Sequence, residues 1–217
     1  MFIRKSIQFA IATLVVGASA HASTAFYNNE AAFLAASGGS LAFESFESAT
    51  QSNSTSVGFA GGTFSCTGSS YCPGFFGITT IMADTGVNSI FFASPDTAIF
   101  TFNTAITAFG LHIGGAGNVG ASTLTASLGN GDSDLALNNY SNASGYFSGN
   151  NQYFGAISNT GFTTVSFHSS NTSDGIYFDS MSYGVTTAVT EPETLALMVA
   201  GLGLVGAIAR RRKAKQP

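Results

Sequence analysis

Few residues of this 217-residue chain are of types that do chemistry, and their spacing decides what each can do. Glu44 and Glu47 read as a carboxylate pair of the kind a glycosidase uses as acid and base. Positions three apart on a strand face opposite sides, so neither carboxylate supports the other and both read as solvent-facing. His112 and His168 fall on the polar phase of alternating apolar runs, as surface or site residues. There is no Gly-x-Ser-x-Gly nucleophile elbow. Asn130-Gly131-Asp132-Ser133-Asp134 carries the alternating oxygen ligands of a calcium loop. Leu135 stands where such a loop needs its sixth-position Gly, and Ser141 where it needs Glu, so an EF-hand is rejected. A looser Ca2+ site built from Asp132, Asp134 or Asp174 is the only metal chemistry left open, and no other cofactor is expected. Cys66 and Cys72 are the only cysteines. Their spacing is wrong for a redox CxxC pair and two Cys make a poor zinc site, so in an exported chain they read as a small-loop disulfide.

The charges around these residues exclude several functions. All seven basic residues lie at the ends: Arg4 and Lys5, then Arg210, Arg211, Arg212, Lys213 and Lys215. Residues 23–187 hold none, against nine acids: Glu30, Glu44, Glu47, Asp84, Asp96, Asp132, Asp134, Asp174 and Asp179, a formal charge of −9. Such a domain repels phosphate backbones, and without Lys or Arg it gains nothing from counterion release, so nucleic-acid binding is excluded. Docking on anionic lipid is disfavoured for the same reason. No cationic clamp for an oxyanion or a phosphate is present either. With no catalytic constellation, the domain is expected not to be an enzyme.

The ends read as addresses. Residues 1–22 have a basic start, an apolar run from Ile7 to Ala18 and the small-x-small pattern Ala20-His21-Ala22, predicting signal cleavage between Ala22 and Ser23. At the other end, Leu195 to Ala209 is a 15-residue uncharged apolar run followed by Arg210, Arg211, Arg212 and Lys213. It predicts a short inner-membrane helix, with the basic tail held cytoplasmic by the positive-inside rule. Gly201-Leu202-Gly203-Leu204-Val205-Gly206 matches a dinucleotide fingerprint by accident, since no strand precedes it; these glycines suit close helix packing.

Thr190-Glu191-Pro192-Glu193-Thr194, the apolar run 195–209 and the basic tail 210–217 together resemble the PEP-CTERM sorting signal, a tail also described as an ice-binding protein C-terminal domain. Glu191-Pro192 matches the last two positions of the Pro-Glu-Pro motif, with Thr190 at the first. The resemblance implies residues 188–217 are a sorting module. It further implies an exosortase-like processing enzyme that cleaves at Glu191, Pro192 and Glu193, and a host that makes exopolysaccharide. Pro192 also keeps the segment before it extended, as a processing site requires.

Residues 23–187 suit one exported domain. Asn28 is placed to cap a short helix stopped at Gly38-Gly39. Beyond it, alternation dominates: Phe100 and Phe102 about Thr101, Phe109, Leu111 and Ile113 about Gly110 and His112, Val165 and Phe167 about Ser166, and a last strand ending at Gly184. Asn130-Gly131 and the glycines at 61–62 and 114–120 mark turns. Many short strands with no second helix predict an antiparallel, jelly-roll-like β-sandwich, with the twenty Phe as its core. A parallel β-helix is the alternative, without a repeat period to support it. Short stretches such as Leu41-Ala42-Phe43-Glu44 and Phe178-Asp179-Ser180-Met181-Ser182-Tyr183-Gly184 resemble exported domains that carry this tail, implying a sandwich similar to carbohydrate-binding jelly rolls.

The functional expectation is a cell-surface or exopolysaccharide-matrix protein exported by the Sec route and anchored through its C-terminal helix until processed. The alternatives are a carbohydrate-binding module using Tyr140, Tyr146 or Tyr153 on matrix polysaccharide, aided by calcium, and a secreted hydrolase.

Overall fold

The computed structural model describes residues 24–186, apart from 39, 54–55, 73, 116–121, 141–151 and 171–172. The signal segment 1–22, its Ala22–Ser23 junction and the whole tail 188–217 lie outside the described residues. Among the described residues no helix is long and apolar enough to cross a membrane.

Among the described residues the domain has twelve strands and one helix, with every pairing antiparallel. That removes the β-helix alternative. In chain order they are β1 (Thr24–Tyr27), α1 (Glu30–Ser37), β2 (Ala42–Glu44), β3 (Thr50–Asn53), β4 (Ser56–Phe59), β5 (Gly62–Thr67) and β6 (Phe76–Thr79). There follow β7 (Ser89–Ala93), β8 (Thr97–Gly114), β9 (Ser122–Leu128), β10 (Ser133–Tyr140), β11 (Gln152–Ser169) and β12 (Gly175–Gly184). Two of these are not short: β8 and β11 each run 18 residues.

Their length is the key to the architecture. Residues 97–102 of β8 lie between β5 and the C-terminal half of β11, which continues to β9 and β10. Residues 108–114 of β8 lie between the N-terminal half of β11, flanked by β1, and β12, which continues to β7 and β6. Exposed residues at 103–105 and 159–161 separate the part of each strand that pairs in one layer from the part that pairs in the other. Polar residues at these positions (Asn103-Thr104, Asn159-Thr160) interrupt the apolar alternation, and the ladder register shifts there.

The two layers pack face to face through phenylalanine. Phe100 lies 5.0 Å from Phe64 in its own layer and 5.5 and 5.6 Å from Phe178 and Phe109 in the other, and Phe167 meets Phe178 at 4.8 Å. All five rings are fully buried, each contributing roughly 1.5–3 kcal/mol of apolar burial. The alternation expected at 100–102, 109–113 and 165–167 is present, with the named apolar residues buried. The core does not take every Phe: Phe43 and Phe75 are exposed.

α1 begins one residue later than the sequence suggests. Asn29, not Asn28, is the N-cap; its side chain accepts from Ala32 N at 2.9 Å. Gly38 ends the helix in the left-handed conformation, φ 58°. The helix buries Phe33 on the outer face of the second layer, where Gly110 and Gly155 stand directly opposite one another and leave room for the ring.

Candidate functional site

Three places concentrate polar groups. The first lies on that same outer face. Register places His112 of β8 beside Tyr153 of β11 and Asp179 of β12, all on one side. The loop 80–88 folds over them, because the buried Asp179 carboxylate accepts from Asp84 N (2.7 Å) and Thr85 N (2.8 Å). Asp84 then contacts His112 Nδ1 at 2.9 Å, while Glu30 of α1 contacts Nε2 at 3.2 Å. Ser180, at a left-handed φ of 51° in a bulge of β12, donates its hydroxyl to Asp84 at 2.9 Å.

A serine, a histidine and carboxylates therefore share a site, but not in the order a nucleophile needs. The serine proton goes to a carboxylate, and both imidazole nitrogens face carboxylates. The arrangement ties helix, strand and loop together. Burial pushes the Asp179 carboxyl up to about 6, with the Asp84 charge adding to it, against the lowering effect of its N–H donors at Thr85, Ser180 and Asp84. Burial and the Glu30 charge push the Tyr153 phenol well above its ordinary range. Its hydroxyl is buried and has no hydrogen-bond partner among the described residues.

The second place is the disulfide loop. Cys66 and Cys72 are bonded, Cα atoms 5.8 Å apart, and their sulfurs lie within 4.8 Å of an Asp96 oxygen. That set does not fit a metal, because the sulfurs are bonded to each other. The buried Asp96 carboxylate already accepts from Ser70 N (3.2 Å), Tyr71 N and Cys72 N (2.6 Å each). Burial raises the Asp96 carboxyl, yet these amides and that of Ser69 outweigh it and hold it below the usual carboxylate range.

The third is a cleft of about 250 Å³ between β1, an edge of the second layer, and β10, an edge of the first. Phe26, Phe154 and Ala136 form its apolar floor, and Tyr27, Asn28, Asp134 and Leu135 its rim.

The residues singled out in the sequence distribute unevenly over these places. Glu44 is buried, not solvent-facing; its carboxylate accepts from Phe46 N (2.8 Å) and Ala60 N (3.3 Å). Glu47 is exposed but accepts from Val87 N and Asn88 N at 2.8 and 2.7 Å, and these amides hold its carboxyl low. In a domain without Lys or Arg, main-chain amides take the place of cations. His168 is exposed, 3.3 Å from Thr97 Oγ1. Asp132 accepts from Asn130 Nδ2 at 3.1 Å and from the Thr24 hydroxyl, and Asp134 accepts from Leu135 N. Asp174 is buried beside Ser94, whose hydroxyl accepts from Asp174 N at 2.9 Å. Asp132, Asp134 and Asp174 are not among the ligand-type groups gathered within 4.8 Å in the described residues. Tyr153 is buried beneath α1, not exposed; the side chain of Tyr140 and all of Tyr146 lie outside the described residues. So do Glu191, Pro192, Glu193, the run Leu195–Ala209, and Arg210, Arg211, Arg212 and Lys213. Asp84, Asp179 and Ser180 of the first place, and Tyr27 and Asn28 of the cleft, escape a sequence reading because strand pairing across the fold assembles them.

Comparison with known proteins identifies the tail. Residues 188–213 match the PEP-CTERM protein-sorting motif. The chain is thus an exported protein carrying an exosortase sorting signal. Comparison with the curated proteins gives no match. Among solved structures, the chain is similar to the CBM22-1 xylan-binding domain of Paenibacillus barcinonensis Xyn10C. The TM-score is 0.41 and the identity 14%, over 70% of this chain and 97% of that one.

Proposed function

We propose that this domain is a non-enzymatic module which the tail delivers to the cell surface or the exopolysaccharide matrix. A jelly-roll-like sandwich held first by an inner-membrane helix at 195–209 is then released by an exosortase-like enzyme. The sorting motif carries the reading, because it starts two residues after Thr186, the last described residue of the domain. The absence of an enzyme is supported by the His112 cluster, where Ser180 donates to Asp84 and each imidazole nitrogen faces a carboxylate. Replacing Glu191-Pro192 with Ala-Ala tests the sorting step: the full-length precursor should accumulate in the inner membrane. Normal release of that variant would refute the proposal.

A second reading, a carbohydrate-binding module, is favoured by the cleft between β1 and β10, which pairs an aromatic floor with a polar rim. Calcium would enter only through Asp132 or Asp134 nearby, and chelation with EDTA should then lower glycan binding.

A further inference from the structure

We propose that the β1–β10 cleft is a subsite for one neutral sugar ring, an inference that rests on the carbohydrate-binding reading above and locates its site. The cleft exists because the two layers end on different strands. At one end they are bolted together: the Thr24 hydroxyl donates to Asp132, and Asn130 Nδ2 bonds both Asp132 (3.1 Å) and Ser158 Oγ (3.0 Å). Beyond that bolt β1 and β10 diverge, leaving the half-buried Phe26 and the buried Phe154, ring centroids 6.0 Å apart, as a floor.

The rim carries the exposed side chains of Asn28 and Asp134. Tyr27, also on the rim, packs its ring against Phe33, centroids 6.0 Å apart. Asp134 lines the cleft, and its Oδ1 accepts from Leu135 N at 2.8 Å. An amide and a carboxylate together offer both donors and acceptors. Leu135, 47% exposed, closes the rim with an apolar wall.

These features select the ligand class. With a formal charge of −9 and no cation in residues 23–187, the domain disfavours phosphates and uronates. A cation would find a single carboxylate, already half engaged, over an aromatic floor. A neutral polyol ring with an apolar C–H face and a rim of hydroxyls matches floor and rim together. The volume is below the roughly 300–1,000 Å³ of drug-sized pockets, so one ring of a chain is held and the rest lies in solvent.

The test uses the full chain in detergent against neutral glucans, mannans, galactans and xylans, with a polyuronate and a polyamine as charged probes. Asn28→Ala and Asp134→Asn alter exposed side chains and should preserve the melting temperature; Tyr27→Ala is added as a third variant. His168→Ala, at an exposed residue that does not line the cleft, is the control. The expected result is binding of at least one neutral glycan, weakened about tenfold or more by Asn28→Ala and Asp134→Asn and unchanged by His168→Ala. Equal binding by the cleft variants overturns this site while the carbohydrate reading stands. Silence across the neutral glycans overturns both. Polyamine binding lost in Asp134→Asn, without glycan binding, would make the cleft a cation site instead.

Discussion

The burial of Asp179 predicts a domain more stable in mild acid than at neutral pH. Its carboxyl is buried beneath the loop 80–88, and burial raises it from 3.8 to about 6. A group whose folded-state value lies above its unfolded one contributes stability that is complete below 3.8 and is lost as pH rises through about 6. At 1.36 kcal/mol per unit, that shift corresponds to about 3 kcal/mol between pH 4 and pH 7, and solvent at the loop rim screens it to about 2 kcal/mol. Asp96 and Glu47 work in the opposite sense: their lowered values give stability that is lost only as pH falls through the region below their usual values of 3.8 and 4.5. The stability maximum should therefore fall near pH 4, where these opposing effects balance. Urea unfolding followed by tyrosine fluorescence, practicable because the chain has seven Tyr and no Trp, should give a higher midpoint at pH 5 than at pH 7.5. Asp179→Asn should flatten that difference. A wild-type midpoint that is equal or lower at pH 5 would refute the account of Asp179, as would an Asp179→Asn variant that keeps the full difference.

Three further outcomes follow from particular contacts. Gly155→Ala should destabilise by about 1–3 kcal/mol, because its Cβ would sit 2.8 Å from Phe33 and 3.0 Å from Tyr153; a thermal melt equal to wild type contradicts the packing of α1. Tyr153→Phe removes a buried hydroxyl that has no partner among the described residues and should raise stability by about 1 kcal/mol, with loss of stability as the contrary result. Thr186 is pinned to the domain, its N–H donating to Thr107 Oγ1 at 2.8 Å, and five residue steps to Glu191 span at most about 18 Å. Deleting Thr187, Ala188 and Val189 should thus block processing in an immunoblot of membrane and medium, and unimpeded release would show that the enzyme does not need that reach.

Much of the fold was legible where physics is local. Alternation about Thr101, Gly110 and Ser166 marks strands, Asn130-Gly131 marks the hairpin between β9 and β10, and Gly38 marks the helix end. What was hidden depends on distant partners. Asn103-Thr104 and Asn159-Thr160 look like loops between short strands, but β8 and β11 run on through them, paired before and after each break in the ladder. Glu44 looks solvated because its partners, the amides of Phe46 and Ala60, have no side-chain signature. Tyr153 occupies the face opposite the core and is buried only because Phe33 docks on two glycines brought together by register. The tail is the opposite case: its meaning lies in linear order, so the sequence carries it whole.

The most direct test of the central claim is the intact mass and location of the native protein in its host, with and without the exosortase gene. The account predicts a species that starts at Ser23 and ends near Glu191–Thr194, found at the surface or in the medium and absent from the deletion strain. A species retaining Arg210 to Pro217 in both strains would contradict it.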